Sequence, residues 1–156
     1  MGAVAARLRR APARLLRVLR FPLIHPPLLA ALAACGHGGK VLVADANYSH
    51  STNVSPGATV VYLNLRPGLV TVDQVLPPVL AAVPVEAAHV MRPDEGPEPA
   101  VFGVYRSLLA VQPQPMGRLD FYAACREPDL AVCVATGDDR LYANILLTVG
   151  YITPPG

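Results

Sequence analysis

The stretch LLAALAACGHGGKVLVADANYSHST, residues 28–52, decides the fold, and it can be read in two ways. Its left half follows an arginine-rich segment and ends an apolar run at Cys35, the outline of a secretory leader with a lipoprotein-type cleavage site. Its right half continues as a helix, a glycine turn carrying His37, and a strand that delivers Asp45. A leader needs an unbroken apolar run of about 7 to 15 residues behind a basic start. Here FPLIHPP (21–27) interrupts the run with His25, Pro26 and Pro27, so that only residues 28–35 remain. Those residues suit a short helix, with Pro26 and Pro27 in its first turn and Gly36 just past its end. We therefore read helix, turn and strand.

Outward from this stretch, strands and helices alternate. KVLVAD (40–45) and ATVVYLNL (58–65) are rich in β-branched residues, and a Ser-, Asn-, Pro- and Gly-containing loop separates them. TVDQVLPPVLAAV (71–83) has helical periodicity with Thr71 as cap, while Pro77 and Pro78 are expected to kink or shorten it. EAAHVMRP (86–93) reads as a strand, and a helix is expected over 99–111, with Val101, Tyr105 and Leu108 on one face. A short helix follows over Leu119–Arg126, and LAVCVATG and NILLTVGYI form two final strands. This order predicts one α/β domain, residues 21–156, around a largely buried sheet.

Composition restricts the function classes. A net charge of +2 carries no general affinity for nucleic acid. No apolar run approaches the roughly 18 residues that a membrane span requires. Charged residues are 15% of the chain and hydrophobic ones 53%, against about 25% charged in an average soluble domain. The apolar surplus is best buried between identical subunits, so a homo-oligomer is expected. Cys35, Cys125 and Cys133 form neither a paired framework nor a metal clip. They read as reduced thiols of a cytoplasmic protein. Residues 1–20 read as a flexible extension: Arg7, Arg10, Arg14 and Arg17 share one helical face, but Pro12 would break that helix.

Few residues look chemical. Gly36, Gly38 and Gly39 surround His37 and allow a tight turn and close approach to a ligand. The motif is not a P-loop, because Val41 follows Lys40 and the upstream glycine spacing is missing. Asp45 closes an apolar strand, so its carboxylate emerges at the carboxyl edge of the sheet, where α/β proteins bind ligands. GDDRLYANILL places Tyr142 and Asn144 just before a hydrophobic strand, and GRLDFYAAC places Arg118 and Tyr122 at a helix start.

His37 in GHG, Asp45 in VLVADAN, the RLDFY segment and YANILL, in this order, resemble the ribose pyranase and fucose mutarotase family from about Phe21 to Tyr151. The resemblance implies a three-layer α/β domain and an isomerase of a free monosaccharide that needs no metal, nucleotide or other cofactor. It makes His37 the proton donor, and Asp45, Tyr142, Ala143 and Asn144 sugar-binding positions. Arg118 and Tyr122 match the fucose branch, YAN the ribose branch, and Glu86 stands where some fucose-type members carry aspartate. L-Fucose is the expected substrate and D-ribose the alternative. It further implies rings of identical subunits, often pentamers paired into decamers. Tyr142 and Asn144 would then sit in a site completed by the adjoining chain, with Leu146 of the same strand buried at the interface.

The residue types suit this chemistry. Changing an anomer opens a hemiacetal: one group removes the proton of the anomeric hydroxyl, another protonates the ring oxygen, and closure reverses the roles. Histidine, with an ordinary pKa of about 6.5, serves either step near neutral pH. Asp45, Arg118 and Asn144 supply partners for hydroxyls, and tyrosine packs on a sugar face while offering a hydroxyl. The same set would also serve a sugar-binding protein without turnover.

Overall fold

Residues 18–155 are described by the computed structural model. The arginine-rich stretch from Arg7 to Arg17 lies outside the described residues. Helix α1 (Pro26–Cys35) begins where the ring nitrogen Nδ1 of His25 accepts from the Leu28 N–H at 3.3 Å, with prolines in its first two positions. It ends at Gly36, whose φ of 73° favours glycine. Strand β1 (Lys40–Ala44) is buried from Val41 onward, and β2 (Thr59–Tyr62) is shorter than its apolar run. Helix α2 (Val72–Ala82) opens with the Gln74 side chain accepting from the Thr71 N–H at 3.0 Å. The helix runs through Pro77 and Pro78, contrary to the expected shortening. Its buried stripe of Val72, Val75, Leu76 and Val79 holds it on the core, and the two prolines stand off that stripe.

Strand β3 (Val85–Arg92) leads to α3 (Val101–Leu108), which stops earlier than its periodicity predicts because Leu109 turns to extended backbone. Strand β4 (Gln114–Gly117) was not foreseen. It runs directly into α4 (Arg118–Arg126), and the chain closes with β5 (Leu130–Ala135) and β6 (Ile145–Val149).

The six strands form one sheet in the order β2-β5-β1-β6-β3-β4. Strands β2, β5 and β1 are mutually parallel, as are β3 and β4, and β6 lies antiparallel between β1 and β3. Five strands thus point one way and β6 the other. Helices α1, α2 and α3 cover one face with Leu28, Leu32, Leu76, Val79, Phe102 and Tyr105. The opposite face buries Leu42, Met91, Cys133 and Leu146 under Phe121 and Cys125 of α4 and under Tyr48. The expected three-layer α/β domain with a buried sheet is what forms.

Leu146 requires a correction. It is 1% exposed within this second core. Because β6 is an internal strand, its apolar side chains fill the subunit's own core and are not available to an interface. Among the described residues, no helix is long and apolar enough to cross a membrane.

Candidate functional site

The reversed strand gathers the site. Asp45 follows the end of β1, Arg118 follows the end of β4, Met91 lies near the end of β3, and Asn144 immediately precedes β6. All four therefore meet at one edge of the sheet. There they line a cleft of about 200 Å³ together with Asn47, Tyr48, Tyr122, Leu141 and Tyr142.

Its floor is a doubly bonded pair. Asn144 Nδ2 donates to Asp45 Oδ2 at 2.9 Å, and the Asp45 N–H donates to Asn144 Oδ1 at 2.8 Å. The Asn47 N–H donates to the other Asp45 oxygen at 2.9 Å, and Asn144 Nδ2 also lies 3.8 Å from Met91 Sδ. Burial raises the Asp45 carboxyl above its ordinary pKa, opposed by the N–H groups of Asn47 and Ala143 and the Asn144 amide, and abetted by the charge of Asp138. Arg118 Nε points to Asp94 Oδ2 at 3.4 Å on the rim. The Tyr122 ring meets Tyr48 edge to face at 5.5 Å, and the Tyr48 hydroxyl is spent on the Asn53 carbonyl at 2.7 Å. A carboxyl, a guanidinium and three tyrosine rings around a small cleft suit a ligand that is both hydroxylated and ring-shaped.

Tyr142 carries a φ of 61°, the only non-glycine residue in the left-handed region among the described residues. Such a conformation is costly for a bulky side chain and marks functional sites. Ala143, implied as a sugar-binding position, is fully buried, and its carbonyl accepts from the Tyr105 hydroxyl at 2.7 Å.

His37 and Glu86 are elsewhere. Lys40 and Asp45 stand at opposite ends of β1, roughly 16 Å apart at about 3.3 Å per residue, and His37 precedes that strand. Its Nε2 lies 3.1 Å from Glu86 Oε2, at the start of β3, and its ring meets Tyr151 edge to face at 5.1 Å. Gly38, with φ of 79°, makes the turn, and its N–H is fixed to the Val149 carbonyl at 2.8 Å. Histidine and cleft thus occupy opposite edges of one subunit, although only eight positions separate His37 from Asp45 in the sequence.

Sequence reasoning missed the support of the cleft. Asp138, 0% exposed, accepts from the Val72 N–H at 2.9 Å, the Arg140 N–H at 3.1 Å and the Arg140 guanidinium at 2.9 and 2.6 Å. Burial pushes its carboxyl up, yet these hydrogen bonds prevail and hold it below the ordinary value. Arg140 also pairs with Asp73. The only signal in the sequence was the Asp-Asp-Arg run of GDDRLYANILL, which does not say which of its charges is buried.

Residues 19–152 match the RbsD / FucU transport protein family. The chain belongs to this family. Among its relatives, a D-ribose pyranase of Paracidovorax citrulli is 32% identical over 131 residues, 84% of this chain and 96% of that protein. A fucose mutarotase of Bos taurus is 32% identical over 146 residues, 85% and 92% of the two chains. The fucose mutarotase of Streptococcus pneumoniae in complex with L-fucose superposes with a TM-score of 0.75 at 26% identity, covering 87% of this chain and 100% of that one. The RbsD / FucU fold extends to Bacillus subtilis RbsD complexed with D-ribose, with a TM-score of 0.71 at 20% identity and coverage of 87% and 100%.

Proposed function

We propose that this chain is an isomerase that interconverts the cyclic forms of a free monosaccharide, L-fucose in preference to D-ribose. The observation that carries the reading is the cleft itself: Asp45, Arg118, Tyr122, Tyr142 and Asn144 converge on one small volume in a chain whose relatives are named for this chemistry. In it, Asp45 accepts from a sugar hydroxyl, Arg118 donates to another, and the tyrosine rings pack on the face of the sugar. Ala143 contributes backbone and Asn144 keeps Asp45 in place.

The proton given to the ring oxygen comes from His37 of an adjoining copy, water takes the proton of the anomeric hydroxyl, and closure returns both. The histidine's own cleft is beyond reach, but the apolar residues at the two edges suit head-to-tail contact. Leu119 and Leu141 flank the cleft edge at 70% and 69% exposure, and Tyr151 and Ile152 flank the histidine edge at 68% and 78%. A heterologous contact of this kind closes into a ring, here a pentamer or a pair of pentamers. Each ring contact would then bring one subunit's His37 and Glu86 to the next subunit's cleft. Glu86 acts by orienting the imidazole. The free thiols of Cys125 and Cys133, both fully buried, suit a cytoplasmic protein.

Saturation-transfer NMR on equilibrated L-fucose and D-ribose tests the reading. Anomer exchange above the uncatalysed rate, faster for fucose than for ribose at equal concentration, is the expected result. Tight sugar binding with exchange left at background would make the chain a binding protein instead, and faster ribose exchange would reverse the substrate assignment.

A further inference from the structure

The segment from Thr136 to Asn144 is fixed at both ends and carries Tyr142 between the fixed points. At its start, Thr136 Oγ1 donates to the Ala44 carbonyl at 2.7 Å and accepts from the Asp138 N–H at 3.2 Å. The Asp138 side chain then reaches the first turn of α2, where it takes the Val72 N–H, and turns back to grip Arg140. Arg140 reaches the same turn of α2 through Asp73. At the other end, the hydroxyl of Tyr105, a fully buried residue of α3, holds the Ala143 carbonyl at 2.7 Å. Only Leu141 and Tyr142 lie between Arg140 and Ala143, and Tyr142 is the residue with φ of 61°. A strained residue persists only where its surroundings over-determine it. Here those surroundings include two helices that contribute no residue to the cleft lining, beside the Ala46 N–H, which donates to the Asp138 carbonyl at 2.8 Å.

We propose that Tyr105 and Asp138 are positioning residues: by clamping the two ends of this short bridge to α3 and α2, they force Tyr142 into the left-handed conformation that aims its ring into the cleft. The inference rests on the proposed sugar site for its binding consequence, but the geometry of Tyr142 is a consequence that needs no sugar.

Tyr105→Phe removes one hydroxyl and keeps the ring, which stacks on Phe102 at 6.2 Å. It should weaken sugar binding about tenfold, the size of one buried hydrogen bond, with smaller change in the exchange rate at saturating sugar. In a Tyr142→Gly background, where the backbone adopts positive φ without strain, the same substitution should have no further effect on binding. A structural role alone would give the full loss in both backgrounds, and that result overturns the proposal. Independently, a crystal structure of the Tyr105→Phe, Asp138→Asn double variant should find Tyr142 outside the left-handed region. Retention of φ near its present value there also overturns it, whether or not any sugar binds. Should Tyr105→Phe fail to fold, Asp138→Asn alone enters the same cycle. Failure of the unmodified protein to bind fucose or ribose defeats the proposed function and leaves the Tyr142 geometry to be judged by the structure of the variant.

Discussion

Asn144 and Asp45, 99 positions apart in the chain, exchange two hydrogen bonds of 2.9 and 2.8 Å, one through the carboxylate and one through the backbone. The pair ties the start of the reversed strand to the end of its neighbour and makes one rigid floor of the cleft. Asn144→Ala should therefore harm both stability and sugar binding. Two buried groups of Asp45 would lose their partner, at a cost of about 2 to 3 kcal/mol. Chemical denaturation with and without fucose measures both effects, and unchanged affinity would show that Asp45 needs no such support.

A site divided between subunits predicts complementation. His37→Gln and Asn144→Ala should each abolish most anomer exchange when assayed alone. Oligomers co-assembled from equal amounts of the two variants should recover about one quarter of the normal activity, since each site would draw its histidine and its cleft from different chains. No recovery, with mixing of the chains verified by mass spectrometry, would place histidine and cleft in separate functions.

Assembly and folding should separate by position. Leu146→Asp puts a charge into the core beneath α4 and should cost more than about 4 kcal/mol, so the variant would unfold rather than dissociate. Ile152→Asp, at the exposed histidine edge, should leave the fold intact while reducing both subunit association and exchange. Light scattering that found a fully active monomer would remove the shared-site mechanism.

Acid stability should depend on two carboxylates with opposite signs. The folded-state pKa of Asp138 is depressed, so its contribution is fully present above the unfolded value of about 3.9 and is lost as pH falls through the lower folded value. Asp45 is raised by burial, so protonation relieves a cost as pH falls through its higher folded value. Unfolding measured from roughly pH 5 to 2 should show a weaker acid loss in Asp138→Asn and a steeper one in Asp45→Asn. Equal slopes in both variants and the unmodified protein would assign the acid response to other groups.

The sequence was most informative where local chemistry decides structure. The proline-opened, glycine-closed α1 and the β-branched runs of β1 and β5 announce themselves, and Asp45 could be placed at the sheet edge from the apolar strand before it. Strand β4 could not be found in this way: Gln114, Pro115 and Gly117 have poor strand propensity, and the segment is tolerated because it is an edge strand. The location of β6 was also hidden, because strand order depends on long-range pairing. That one unknown misplaced Leu146 at an interface. The separation of His37 from Asp45 was within reach, since a strand of five residues lies between them and carries its two ends to opposite edges. The burial of Asp138 against α2, a helix far away in the chain, is hinted at only by the Asp-Asp-Arg run, which does not say which charge is buried, and the φ of Tyr142 leaves no local trace.

The central position of β6 also bears on biosynthesis. Among the described residues, strands β1 and β3 share no pairing and are joined only through Ile145–Val149, the last strand in chain order. On the ribosome, the parallel half β2-β5-β1 and the pair β3-β4 must wait, each with an open edge, until those residues emerge from the exit tunnel. Open edges of apolar strands invite aggregation, and contacts that span most of the chain form slowly. Chains halted before residue 145 should thus be clients of chaperones and proteases, and the cleft should come into being in the same step that closes the sheet.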